Sequence, residues 1–203
     1  MNLNLLQLKK KFGKYGSWAL WDEDGSIASL VRKNDFELLL KPNIVFIGLN
    51  ASTKLSEDWI NYHSECCKSG KIKSWRWSHV SKLAEILREK EFEALKGAYM
   101  TDIIKNHYDS NSNVVVNQIK QDRSLVSKNI RLFEKELKML SKISGLDKFY
   151  IVCIGNKSFE ILDRVLGTKV SKIWHYSAYQ LGREGVKEKI RQDLRGVIKN
   201  MKE

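Results

Sequence analysis

The sequence predicts an α/β domain of three layers, α/β/α, around a mostly parallel four-stranded central sheet, with a small N-terminal hairpin beside it. Three observations lead there. Four short apolar runs rich in β-branched or aromatic residues recur along the chain, each suited to a strand buried on both faces. Segments of helical periodicity separate them, and strands alternating with helices give βαβ crossovers and a parallel sheet covered on both sides. No internal repeat, low-complexity segment or proline-rich linker divides the 203 residues, so 1–203 reads as one domain, with 1–40 an extension and 41–203 the core.

Taken in order, residues 5–12 have the pattern of a short amphipathic helix, and 17–22 with 26–31 read as a hairpin closed at Asp24-Gly25. The first buried strand is Asn43–Leu49, with Pro42 at its entrance, where a missing N–H does least harm. The second is Ala98–Ile104, the third Phe149–Ile154, and the fourth Val170–Trp174. Helical patterns cover 78–95, 117–143, 157–166 and 184–200.

Composition narrows the function classes. Thirty-six Lys and Arg against 24 Asp and Glu give a net charge of +12, which attracts polyanions and makes nucleic acid the leading partner class. No run approaches the roughly 18 apolar residues of a membrane span. The opening MNLNLLQLKKKFGKYG places its lysines after its leucines, the reverse of a signal peptide, so a cytoplasmic protein is expected. Three cysteines are too few for a disulfide framework, and adjacent Cys66-Cys67 with His63 and His79 make a poor zinc set, so neither metal nor cofactor is expected.

In a parallel sheet, ligands collect beyond the carboxyl ends of the strands. Four segments therefore share one mouth: Gly48-Leu49-Asn50-Ala51-Ser52, Thr101-Asp102 running to Lys105-Asn106-His107, Gly155-Asn156-Lys157-Ser158, and His175-Tyr176-Ser177. Each has a plainer reading, as a turn, a helix cap or a structural histidine. Their convergence favours function.

The order of these segments resembles the uracil-DNA glycosylase superfamily over roughly residues 40–200. Gly48-Leu49-Asn50-Ala51-Ser52 stands where that family has a Gly-x-Asn-Pro-Gly turn, and most resembles its mismatch-specific and thymine-DNA glycosylase branch. Thr101-Asp102-Ile103-Ile104-Lys105 is similar to a Thr-Asn element, with Asp for Asn, and Ile151–Asn156 to the run before a small-residue turn. His175-Tyr176-Ser177 matches the closing His-Pro-Ser at two of three positions. Both signature prolines are missing, so the resemblance is to a divergent branch and the excised base is left open.

Cleaving an N-glycosidic bond needs a held water and a donor to the departing base, which must first be flipped from the stack. Asn50 can orient water through its amide oxygen, and His175 can donate to a base carbonyl oxygen. Asp102, with Gly48 and Leu49, is the candidate for reading the base edge; an ionised carboxylate only accepts, which favours an amino-bearing base, while a protonated one in a dry pocket would also donate and reverse that preference. Ser52, Ser177 and Lys105 are candidates for phosphate contacts. Tyr179 and Gln180 stand where the family fills the vacated stack, with Arg183 as a further phosphate contact. Trp75-Arg76-Trp77 is a minor DNA-contact candidate. No motif places a lysine for Schiff-base chemistry, so the expectation is a monofunctional, monomeric DNA glycosylase. Its substrate would be a flipped modified or mismatched pyrimidine, uracil-like or a modified cytosine such as a bulky phage-type base, in repair or phage defence. The alternatives are a non-catalytic nucleic-acid-binding protein and a small-molecule nucleotide or phosphate-ester enzyme.

Overall fold

The computed structural model describes residues 2–22, 36–52, 78–166 and 170–203. Within them the chain is α/β. The strands are β1 (Ser17–Trp18), β2 (Lys41–Asn50), β3 (Ala98–Ile104), β4 (Tyr150–Ile154) and β5 (Val170–Ile173). They form one five-stranded sheet in the order β1-β3-β2-β4-β5. The sheet is mixed: β2 pairs in parallel with β3 and β4, and β4 with β5, while β1 runs antiparallel along β3 through Ser17↔Met100 and Trp18↔Tyr99. This corrects the expected four strands, because Ser17-Trp18 adds an edge strand to the sheet. The other half of the expected hairpin, 26–31, lies outside the described residues, as do His63, Cys66, Cys67 and Trp75-Arg76-Trp77.

The helices are α1 (Leu3–Phe12), α2 (Ser81–Leu87), α3 (Ser112–Gln121), α4 (Arg123–Ser144), α5 (Asn156–Val165) and α6 (Gly182–Lys202), with 3-10 turns at Phe36–Leu39 and Lys90–Leu95. Two expected helices divide. The 78–95 pattern breaks at Glu89, whose extended ψ of 138° separates α2 from a 3-10 turn. The 117–143 pattern breaks at Asp122, also extended, whose carboxylate accepts from the Ser124 amide at 2.9 Å and its hydroxyl at 2.6 Å and so caps α4.

Strand alternation sends side chains to two cores. Ile44, Phe46, Ala98, Met100, Val152 and Ile154 pack with Leu83 and Leu87 of α2 and Val186, Ile190 and Leu194 of α6. Val45, Ile47, Tyr99, Ile151 and Cys153 pack on the opposite face with α1, Phe133 and Leu140 of α4, and Leu162 of α5. Burial on both faces is why β2 reads as an unbroken apolar run rather than an alternating one.

Candidate active site

The mouth forms because β2, β3, β4 and β5 are parallel and end together. From β2 the chain moves to β3 on one side, and after β4 it moves to β5 on the other, so the strand order reverses between β2 and β4. Crevices in open α/β sheets open at such a reversal, beyond the carboxyl ends. Here those ends are Gly48-Leu49-Asn50 and Gly155-Asn156.

Asn50 ends β2. Its Nδ2 donates to the backbone oxygens of Ala51 at 3.0 Å and Asp109 at 2.8 Å, which fixes the amide's orientation. Both donor hydrogens are thereby used, and the side chain offers Oδ1 as an acceptor.

His175 lies two residues past β5. Its Nδ1 is 3.1 Å from the donating Ser177 amide and 2.7 Å from the Ser177 hydroxyl. A ring nitrogen that accepts from a backbone N–H cannot carry a proton, so the neutral imidazole holds its hydrogen on Nε2 and presents a donor there. Burial, joined by the nearby His79 and Lys82, pushes the imidazole down to about 4. Its ring lies on Gly155, where an added Cβ would come within 3.1 Å of Cδ2; the φ of +86° at Gly155 is a second reason for glycine. Asn50 and His175 belong to chains two strand spacings apart, about 10 Å.

Asp102 is two residues inside the end of β3 and buried, registered beside Gly48. A Cβ on residue 48 would fall 2.3 Å from its Oδ1, so glycine is what admits the carboxylate there. The period-2 alternation puts Gly48, Asn50 and Asp102 on the face that carries α2 and α6. His175 belongs to the same face through Lys82 of α2, whose Nζ donates to the Tyr176 carbonyl at 2.9 Å and stands 3.5 Å from His79 Nδ1. Lys82 is 7 % exposed, and burial, with Arg183 adding to it, lowers its pKa. Sequence reasoning missed Lys82, because a lysine in an amphipathic pattern reads as surface, and it weighed His79 only as a metal ligand. Among the described residues no cluster suited to a metal ion is present.

The expectations for Lys105, Leu49, Ser177 and Arg183 need correcting, while Ser52, Tyr179 and Gln180 are placed at the surface. Lys105 does not face the mouth: its Nζ is buried against Glu136 Oε2 at 2.5 Å and donates to Thr101 Oγ1 at 2.6 Å and to the Asp102 carbonyl at 2.7 Å. The Leu49 side chain points into the α4 core, opposite in parity to Gly48 and Asn50, leaving only its backbone near the mouth. The Ser177 hydroxyl is engaged with His175. Arg183 is paired with Glu85 and donates to Ser81 Oγ at 3.1 Å, tying α6 to α2 instead of reaching outward. Ser52 is exposed at the rim. Tyr179 is 83 % exposed on a turn closed by the Gly182 amide on the Tyr179 carbonyl, with Gln180 exposed beside it.

At the other end of the sheet a cavity of about 1040 Å³ is lined by Leu137, Lys138, Tyr150, Ile151, Ser171 and Met201, among others, and holds no histidine. It faces the amino ends of β4 and β5 and is separate from the mouth. No helix among the described residues is long and apolar enough to cross a membrane. Compared with known proteins, the chain matches no family model, no curated protein and no solved structure.

Proposed function

We propose that the protein is a monofunctional DNA glycosylase of the uracil-DNA glycosylase type that hydrolyses the N-glycosidic bond of a flipped pyrimidine and leaves an abasic site. The supporting observation is the pairing of two pre-oriented groups across the strand-order reversal: an amide whose Nδ2 is occupied and whose Oδ1 is offered, and a neutral imidazole whose Nδ1 is occupied and whose Nε2–H is offered. The parallel strand order β3-β2-β4-β5 carries the four resembling motifs in one line, which suits the same reading.

In this mechanism Asn50 Oδ1 holds a water against the anomeric carbon. It removes no proton, since an amide is no base near neutrality; its work is orientation. As water bonds to the anomeric carbon and the C–N bond breaks, the proton the water loses is balanced by the one the departed base anion takes up from solvent. As the glycosidic bond lengthens, negative charge grows on the base, and His175 Nε2–H donates to a base carbonyl oxygen. The neutral ring serves because the site holds its donor already aimed, and a charge on it would meet Lys82 and His79. Asp102 beside Gly48 accepts from an exocyclic amino group, which favours a modified cytosine over uracil. Ala51 in place of a proline leaves room for a larger base. Tyr179 and Gln180 enter the space vacated in the stack.

The test is incubation with duplexes carrying uracil, mismatched thymine, and methylated, hydroxymethylated and glucosylated cytosine, followed by mass spectrometry of released base. One of these bases should appear with an equal amount of abasic sites. Bound DNA without release of any base would leave a non-catalytic nucleic-acid-binding protein.

A further inference from the structure

The positive charge of this chain is unevenly held. On α6, Lys187 lies 3.0 Å from Glu85, Arg191 2.8 Å from Glu89, and Arg195 2.7 Å from Glu91, so these cations are neutralised at home, while Lys189, Lys199 and Lys202 are exposed without an ion pair among the described residues. On the opposite layer, α4 carries Lys128, Arg131, Lys135, Lys138 and Lys142, all exposed, and none has an ion-pair partner among the described residues. Their steps of 3, 4, 3 and 4 residues keep them within about 80° of one another around the helix, opposite the buried Phe133, Glu136 and Leu140. The row extends about 21 Å at 1.5 Å per residue. Glu134 at its flank is the exposed acid nearest to it on the helix.

The row also has a direction. Asn129, near its start, accepts from the Lys105 amide at the carboxyl end of β3, beside the mouth. Lys142, at its other end, gives its carbonyl to Asn4 of α1, whose last turn adds exposed Lys9, Lys10 and Lys11 and no acid. The cations therefore run from the mouth down the side of the molecule, away from Asn50 and His175.

We propose that this α4 row is a second DNA-binding track, which holds the phosphate backbone of duplex lying beyond the nucleotides at the mouth. The choice of DNA rests on the glycosylase reading; the track itself rests on the unpaired charge. On α6 the signs are mixed and paired, at i, i+3 within the helix and with the acids of residues 85–91 beside it. The five cations of α4, with Glu134 the one exposed acid on that helix, instead repel one another, and a polyanion lying along them relieves that repulsion. Displacing counterions from such a polyanion gives the binding a steep salt dependence.

The test uses the full chain with all five residues changed to Gln, and a second variant with the four lysines changed to Arg. Near-ultraviolet circular dichroism checks that both fold. Binding is measured against undamaged duplexes of about 10 base pairs, one helical turn, and about 30 base pairs, over a range of salt. On the longer duplex the Gln variant should lower the slope of log K against log salt by about 4 to 5, at roughly 0.9 for each of the five lost phosphate contacts, while the Arg variant keeps it. The shorter duplex, about 34 Å long, can lie on the row by itself, so the Gln variant should lose affinity for it as well. An unchanged slope on the longer duplex, or lost binding to phosphatidylserine vesicles with DNA affinity intact, would each overturn the track. Because undamaged DNA is used, failure to excise any base would count against the glycosylase and leave this result standing.

Discussion

His175 shows how much of the site's chemistry comes from local hydrogen bonds. The Ser177 amide decides which ring nitrogen carries the proton, and burial with Lys82 and His79 decides that there is only one. With the folded imidazole near 4 and the unfolded one near its ordinary 6.5, the unfolded chain binds a proton between those values that the folded chain does not. Stability therefore rises with pH across that window and is flat above it. Urea unfolding at pH 5 and pH 7 should show this rise in the wild type and a smaller one in His175→Asn. Base release should hold down to about pH 5 and fall as the ring protonates near 4. Lys82→Met should move the His175 titration, followed by NMR of the imidazole, upward, since a cation that disfavours ring charge is removed. A titration that stays in place would mean that Lys82 only packs. That Asn50 and His175 stand at the carboxyl ends of strands was legible in the sequence, because each follows or ends an apolar run. Lys105 and Leu49 were misread for one reason: strand-end position says which residues are near the mouth, and side-chain parity says which face it. Lys105 also answers a buried Glu136 that lies 31 residues away in sequence, a pairing no local pattern reveals.

At the scale of elements, the junction of α4 with β3 is held by a buried polar cluster. Glu136 accepts from the Tyr99 hydroxyl at 2.9 Å and Thr101 Oγ1 at 3.0 Å while pairing with Lys105. Glu136→Leu should destabilise the fold by about 3–5 kcal/mol in denaturant unfolding, because it strands the Lys105 charge, and Lys105→Met added to it should recover much of the loss. If the double variant is no better than the single, the hydrogen bonds and not the unpaired charge set the cost. At the β4–α5 turn, Gly155→Ala should slow base release more than it weakens DNA binding, because the new methyl would press on the ring of His175 and the backbone would be strained at a φ of +86°. In the loop before α6, Tyr179→Ala with Gln180→Ala should slow release from duplex by about tenfold to a hundredfold relative to single strands, where less unstacking is needed. Equal slowing on both would assign these side chains to backbone contact or packing. Arg183→Ala should lower stability through the loss of its Glu85 link and leave the salt dependence of DNA binding nearly intact, unlike a phosphate contact. The strands were read from the sequence nearly to their ends. The break between α3 and α4 was missed although Asp122-x-Ser124 is a capping pattern, since the apolar periodicity continues across it in Val115, Ile130 and Phe133.

For the whole molecule, parallel strands make one mouth, and one side carries a row of cations without ion pairs among the described residues. The first was legible from the alternation of strands and helices. The second was not: a net charge of +12 is a sum, and only the fold separates the paired cations of α6 from the unpaired ones of α4. Residues 17–22 read as a strand of a local hairpin, but that Ser17-Trp18 joins the main sheet was hidden for a similar reason, since its partner is β3, about 80 residues away in sequence. The central claim is that an oriented amide and an oriented imidazole at the strand-order reversal cleave a glycosidic bond. Single-turnover base release by wild type, Asn50→Ala and His175→Ala, on the duplex from which base is released and with DNA binding measured in parallel, tests it most directly. The account predicts a loss of at least about a hundredfold in rate for Asn50→Ala with nearly unchanged binding, and a larger loss in rate than in binding for His175→Ala. Release by Asn50→Ala within a few-fold of wild type, or equal losses of rate and binding in His175→Ala, would contradict it.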